Sequence, residues 1–257
     1  MSTAMMILHQ VRYEWRSFWR NPAAAFFGAI FPLIFLVIFN VLFGNNEITV
    51  PGGRTHASTF YVPAIAAMAV VNSCFTGMAM GAAVSRDLGV LKRMRGTPLP
   101  AWAYLLARII QTSLVSFVIV TIVVVAGVAL FGVTFRWETL PAFAFTVLLA
   151  AACCSALGLA VTALIPNADA APAVVNGIVL PLLFISDVFV RGDAAPAWVH
   201  QVADIFPVRH ISIALQTAFN PFSTGNGFDG QHLLVIAVWL VIGIALARRF
   251  FSWEPRR

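Results

Sequence analysis

Between Arg20 and Glu47 the chain carries no charged side chain, and most of that interval is one unbroken apolar run, Ala23 to Phe43. As a helix rising 1.5 Å per residue, a run of that size is about 30 Å long, the thickness of the hydrocarbon core of a bilayer. Apolar runs of similar length recur at residues 60–84, 101–131, 140–164, 171–190 and 232–251. Hydrophobic side chains make up 60% of the 257 residues and charged ones only 10%, which leaves too little polar surface to enclose six such helices in water. The chain reads as an all-α polytopic membrane protein, a single transmembrane domain over residues 1–257 with six transmembrane helices.

The remaining segments have their own character. Residues 1–22 predict an interfacial helix: Leu8, Val11, Trp15 and Phe18 or Trp19 form an apolar stripe, while Arg12, Arg16 and Arg20 repeat every four residues. No small-residue site follows that would mark a cleaved leader. Pro32 is expected to kink the first span, and residues 45–59 read as a polar loop containing Gly and Pro. Gly77-xxx-Gly81 in the second span predicts close helix packing. Arg108 and Gln111, near the start of the third span, are expected to snorkel toward the membrane surface. In the external segment, residues 191–231, the moderately apolar stretch 196–219 is interrupted by His200, Asp204, Pro207, Arg209 and His210, and predicts one or two short re-entrant helices.

Residues 85–100, SRDLGVLKRMRGTPLP, are the one strongly charged stretch in the middle of the chain. Leu88, Leu91 and Met94 recur every three residues, with Arg86, Lys92, Arg93 and Arg95 on the other faces, which predicts a short amphipathic helix stopped by Pro98 and Pro100. The termini, this stretch and Arg108 hold 12 of the 16 Lys and Arg residues. An excess of cations marks the cytoplasmic side, so both termini and residues 85–100 are expected there. The loop containing Asp169, which has no cation, is the weakest point of that assignment. The net charge of +6 borders spans and suits anionic lipid rather than nucleic acid.

Several chemistries find no anchor. The only lysine is Lys92, and no GxxxxGK phosphate loop precedes it, so nucleotide hydrolysis would have to come from another chain. There is no HExxH or GxSxG motif, and His9, His56, His200, His210 and His232 are scattered. Cys74, Cys153 and Cys154 lie within apolar runs and read as packing residues. A proton-coupled pump would need a carboxylate at mid-depth, which the spans lack. Asp187, with Arg191 as its nearest cation in sequence, sits at the outer end of the fifth span. The spans are read as lacking a long aromatic stripe of the kind that favours sugars, and so as favouring an apolar or amphiphilic cargo.

The order of these features resembles the membrane subunit of ABC-2 type exporters, over nearly the whole chain. Arg86-Asp87-Leu88-Gly89 through Arg95-Gly96-Thr97-Pro98-Leu99 resembles that family's coupling segment. Pro181-Leu182-Leu183-Phe184-Ile185-Ser186 is similar to its fifth-span motif, and Pro196-Ala197-Trp198-Val199 to the family's next, downstream motif. Phe206-Pro207-Val208-Arg209-His210 is similar to the opening of its last external segment. Val90 replaces a usual Thr, and Asp187 a usual Gly. The resemblance implies a permease of the drug- or antibiotic-export-like kind in a bacterial inner membrane, not itself an enzyme. It would work with a second permease copy or paralogue and a separate cytoplasmic cassette ATPase that holds Mg-ATP, this chain needing no cofactor. It further implies that Leu88, Leu91 and Met94 fill a groove on the ATPase, that Arg86, Arg93 and Arg95 meet acidic groups or lipid phosphates, and that Asp187 and Arg191 form a candidate outer gate. On that basis Leu91→Asp would abolish transport and leave insertion intact. A stand-alone proton-coupled efflux protein and a non-transporting scaffold are the alternatives.

Overall fold

The computed structural model describes residues 3–96, 100–186, 188–189, 196–223 and 225–253. Five of its helices are long and apolar enough to cross a membrane, so the protein is a mostly helical, polytopic membrane protein. The amphipathic α1 (Thr3–Trp19) lies along α6 (Ala101–Phe131), turning Val11, Trp15 and Phe18 inward and leaving Arg12, Arg16 and Arg20 exposed. α2 (Pro22–Phe43) follows, with Pro32 inside it.

Residues 45–59 are more ordered than the polar loop predicted. β1 (Glu47–Val50) and β2 (Gly53–His56) pair antiparallel in a hairpin, which rests on Phe222. Two strand-forming runs, ITV and RTH, flank Pro51-Gly52, with Gly52 in the left-handed region that such a tight turn requires.

The second apolar run forms the centre of the fold, a continuous helical path from Ser58 to Asp87. In its apolar window 78% of residues are buried, against 17% for α2 and α11 (Gly230–Phe250), so it is the central helix and they are peripheral. α3 (Ser58–Val70) gives way to a π-helical turn (Val71–Thr76) before α4 (Gly77–Asp87). The Gly77 amide reaches back five residues to the Asn72 carbonyl, and Ser73 Oγ donates to the Ala69 carbonyl at 2.7 Å. A π turn inserts an extra residue and re-aims the helix beyond it, and no apolar periodicity announces it.

α7 (Leu140–Val161) packs on this path through small residues. Ala150, Ala151, Cys153, Cys154, Ser155 and Ala156 are all buried, and the three thiols are free. In lipid, association relies on close van der Waals approach, which small side chains permit. Thr112 and Ser155 hydroxyls add a 2.9 Å hydrogen bond between α6 and α7.

α8 (Ala171–Ile185) has only 15 residues, so at about 1.5 Å each it falls short of a hydrocarbon core about 30 Å thick. Among the described residues, five helices of spanning length and the shorter α8 stand where the sequence predicts six spans. The segment expected to be external contains α9 (Ala197–Ala203) and α10 (Pro207–Phe219), and α10 is packed between α3 and α11 with His210, Ile211, Leu215 and Phe219 buried.

Arg108 and Gln111 do not snorkel. They are 9% and 6% exposed, and the Arg108 guanidinium lies against Tyr104, donating to its hydroxyl at 3.2 Å. Gly81 leaves room for this guanidinium, since a Cβ there would stand 2.9 Å from Arg108 Nη2. That glycine accommodates a cation rather than a neighbouring helix.

Candidate functional site

Two regions bring chemistry-bearing residues together. The first is an elbow at the end of the central helix. α4 stops at Asp87, Gly89 adopts φ 68°, and a new helix, α5 (Val90–Arg95), starts at once. Glycine suits this left-handed turn because it has no Cβ to clash. The amphipathic helix predicted within residues 85–100 thus exists but is confined to six residues, since Leu88 and Gly89 form the bend. Thr97, Pro98 and Leu99 lie outside the described residues.

The elbow sorts the predicted coupling residues. Leu88 is 68% exposed, and Lys92 and Arg93 are exposed on α5. Met94 is half-buried, while Arg95 belongs to α5 without a described side chain. Leu91 is fully buried within the chain itself, so it anchors α5 instead of offering a contact to another protein.

Arg86 departs furthest from expectation. It is 2% exposed, with Nη1 donating to the Thr162 carbonyl at 3.1 Å and Nη2 to the Ile165 and Pro166 carbonyls at 2.7 and 3.2 Å. These carbonyls belong to the turn and connection that follow α7, and one buried guanidinium satisfies all three. Arg86 therefore faces neither a partner nor lipid phosphate. It supplies the positive charge that the loop around Asp169 lacks in sequence. Its neighbour Asp87 accepts from the Ala168 amide at 2.5 Å and lies 3.5 Å from Arg86 Nε.

The second region is a groove of about 460 Å³ between α2, the π turn and α8. Phe27, Phe31, Phe35 and Phe39 line it at four-residue spacing, one face of a helix. Phe31 and Phe35 centroids are 4.8 Å apart, and Phe189 packs on both Phe35 and Phe39 at 5.7 and 5.8 Å. This is a long aromatic stripe, which corrects the reading that the spans lack one. The pattern was present in the sequence, where Phe43 continues the same repeat.

Three polar side chains enter this wall: Asn72 and Thr76 from the π turn, and Asn176 from α8. Thr76 Oγ1 is buried without a hydrogen-bond partner. An apolar cleft with a few placed polar groups is what a small amphiphile binds best. On the other flank of α8 a second groove of about 520 Å³ runs toward α7 and α11, walled by Phe75, Leu182, Phe206, Trp239 and Phe250. Asp187 and Arg191, the candidate outer gate, lie outside the described residues.

Scattered in sequence, His210 and His232 meet in space, with their Nδ1 atoms 2.7 Å apart. His210 Nε2 faces the Asp204 carbonyl at 2.9 Å and must donate to it, so a neutral His210 accepts the Nδ1 proton of His232. Asp229 stands 3.8 Å from His232 Nε2, and Arg209 pairs with Asp204 at 2.7 Å. The bond ties α10 to the start of α11. His210→Ala leaves the His232 donor unpaired and is expected to cost about 1–3 kcal/mol, read as a lowered unfolding midpoint in detergent.

The family model described as ABC-2 type transporter matches residues 7–220, from within α1 to the end of α10. No curated protein matches the chain.

Proposed function

The chain belongs to the ABC-2 type transporter family, and from that premise we propose that it is the membrane subunit of an ATP-driven exporter. It forms the cargo pathway with a second copy or a paralogue, in the bacterial inner membrane with both termini cytoplasmic. A separate cassette ATPase holds Mg-ATP and docks on α5. Family members are membrane transport components, and hydrolysis falls to the partner. The cargo is a hydrophobic or amphiphilic molecule, such as a drug, an antibiotic or a lipid.

The observation that carries this reading is the phenylalanine groove with Asn72, Thr76 and Asn176 on its wall. It lies against α8, an apolar helix of 15 residues that buries Ala171, Val175, Val179 and Leu183 and leaves its other faces open. Exposed Leu88, Lys92 and Arg93 supply an apolar contact and two cations for an acidic-rimmed ATPase cleft.

The test is efflux of a panel of amphiphilic fluorescent dyes from cells or vesicles holding this chain and its ATPase. Asn176→Leu replaces an exposed polar group, so the fold is unaffected. It is expected to raise the half-saturating concentration of a transported dye about tenfold, the effect of one lost hydrogen bond. Equal transport by the variant for every dye would remove the groove from the pathway.

A stand-alone proton-coupled carrier is the second reading, and the His210–His232 pair is what favours it. Against it, among the described residues of α2, α3, α4, α6, α7, α8 and α11 the only carboxylate is Asp87, at the end of α4. A relay across the membrane would need one at mid-depth.

A further inference from the structure

The Arg86–Asp87 pair fastens the coupling elbow to another part of the chain by buried polar bonds. Three carbonyls, of Thr162, Ile165 and Pro166, accept from one guanidinium, and the next residue's carboxylate accepts from the Ala168 amide. All four acceptors and donors on the far side fall within residues 162–168, the connection from α7 to α8. On the near side, the Gly89 amide donates to the Arg86 carbonyl at 3.0 Å and the Arg93 amide to the Gly89 carbonyl at 3.1 Å, so α5 is hydrogen-bonded straight back to the pair.

The far side of the clamp matters as much. α8 begins three residues after Ala168, at Ala171, and has a groove on each flank, with Val179 shared by both. A single stripe, Ala171, Val175, Val179 and Leu183, seats it on the core, and its first turn is positioned by the segment that Arg86 and Asp87 grip. A helix seated on one stripe, with open grooves beside it and a grip at one end, pivots about that stripe when the end is shifted. Packed elements with two discrete arrangements are how such shifts travel.

We propose that Arg86 and Asp87 are positioning residues that transmit displacement of α5 to α8, so that a push on the elbow opens or closes the aromatic groove. Arginine suits this role because its planar fork grips several carbonyls at fixed angles, where lysine offers a single flexible point of charge. The inference rests on the exporter reading, since it needs an ATPase that pushes on α5.

The experiment uses the permease with its ATPase in lipid nanodiscs and a bimane fluorophore on a cysteine introduced as Leu180→Cys. Leu180 is an exposed groove residue on α8, whereas the three native thiols are buried. With the clamp intact, Mg-ATP should shift the bimane emission. Asp87→Ala removes one acceptor from a residue that is 26% exposed and leaves the Arg86–carbonyl bonds in place, so the chain still folds. Arg86→Lys keeps the charge and loses the fork.

In both variants the expected result is loss of the nucleotide-driven shift and a fall of about tenfold in transport, with hydrolysis retained. A merely structural clamp would lower transport and hydrolysis together through loss of assembled protein, which overturns the proposal. Retention of the shift and of transport in both variants overturns it too, and leaves the exporter reading standing. A native complex that shows neither hydrolysis nor a shift removes both.

Discussion

Gly158→Leu is expected to yield almost no assembled protein. Gly158 faces the central helix where α7 crosses the π turn, and a Cβ there would lie 2.6 Å from the Phe75 carbonyl oxygen and 3.2 Å from both Phe75 Cα and Met78 Cβ. Two of those atoms are backbone, so no rotamer change relieves the clash. Overpacking a tight core costs about 1–3 kcal/mol where side chains can adjust, and more where only backbone can move. The loss falls on the contact that holds α7 against the centre of the fold. Gly177, with nothing within 4 Å, is the control, and Gly177→Ala should fold normally. Yield of monodisperse protein in mild detergent separates the two.

The second large effect is a contrast between neighbours on the elbow. Leu91→Asp places a carboxylate where the side chain is wholly buried, and an unpaired buried charge costs several kcal/mol or forces the segment open. It should destabilise α5 itself, so loss of transport in that variant would not isolate docking, and the sequence-based expectation of intact assembly gives way. Leu88→Asp acts on a residue that is 68% exposed, and the chain should fold as before. If Leu88 is an apolar anchor on the ATPase, its loss costs about 2 kcal/mol of association, or roughly a 30-fold weaker complex. Pull-down of the ATPase by each variant, read beside its unfolding midpoint, gives the comparison.

Much of this architecture is legible in residue order. Lipid solvates apolar side chains so uniformly that run length reports helix length, and the third span, predicted at 101–131, coincides with α6. The basic stretch is equally legible, because Leu88, Leu91 and Met94 alternate with cations. What the pattern does not carry is direction. Arg86 and Arg93 are the same residue type seven positions apart, yet one is buried against the carbonyls of Thr162, Ile165 and Pro166 and the other is exposed. That difference depends on where the α7–α8 connection arrives, a contact about eighty residues away in sequence that periodicity cannot register. The π turn is hidden for a related reason. It changes hydrogen bonding rather than composition, so VNSCFT reads as ordinary helix. The aromatic stripe differs, since its four-residue repeat is plain in the sequence and only its role as a groove wall needs the fold.

The central claim is that this chain moves cargo by coupling to a separate ATPase through α5. Affinity purification of the protein from its native membrane in mild detergent, with the eluate assayed for Mg-ATP hydrolysis, tests it most directly. The account predicts a co-purifying cassette ATPase and measurable hydrolysis, both lost with Leu88→Asp while the permease stays folded. A folded, monodisperse permease that brings down no ATPase and hydrolyses nothing would contradict it.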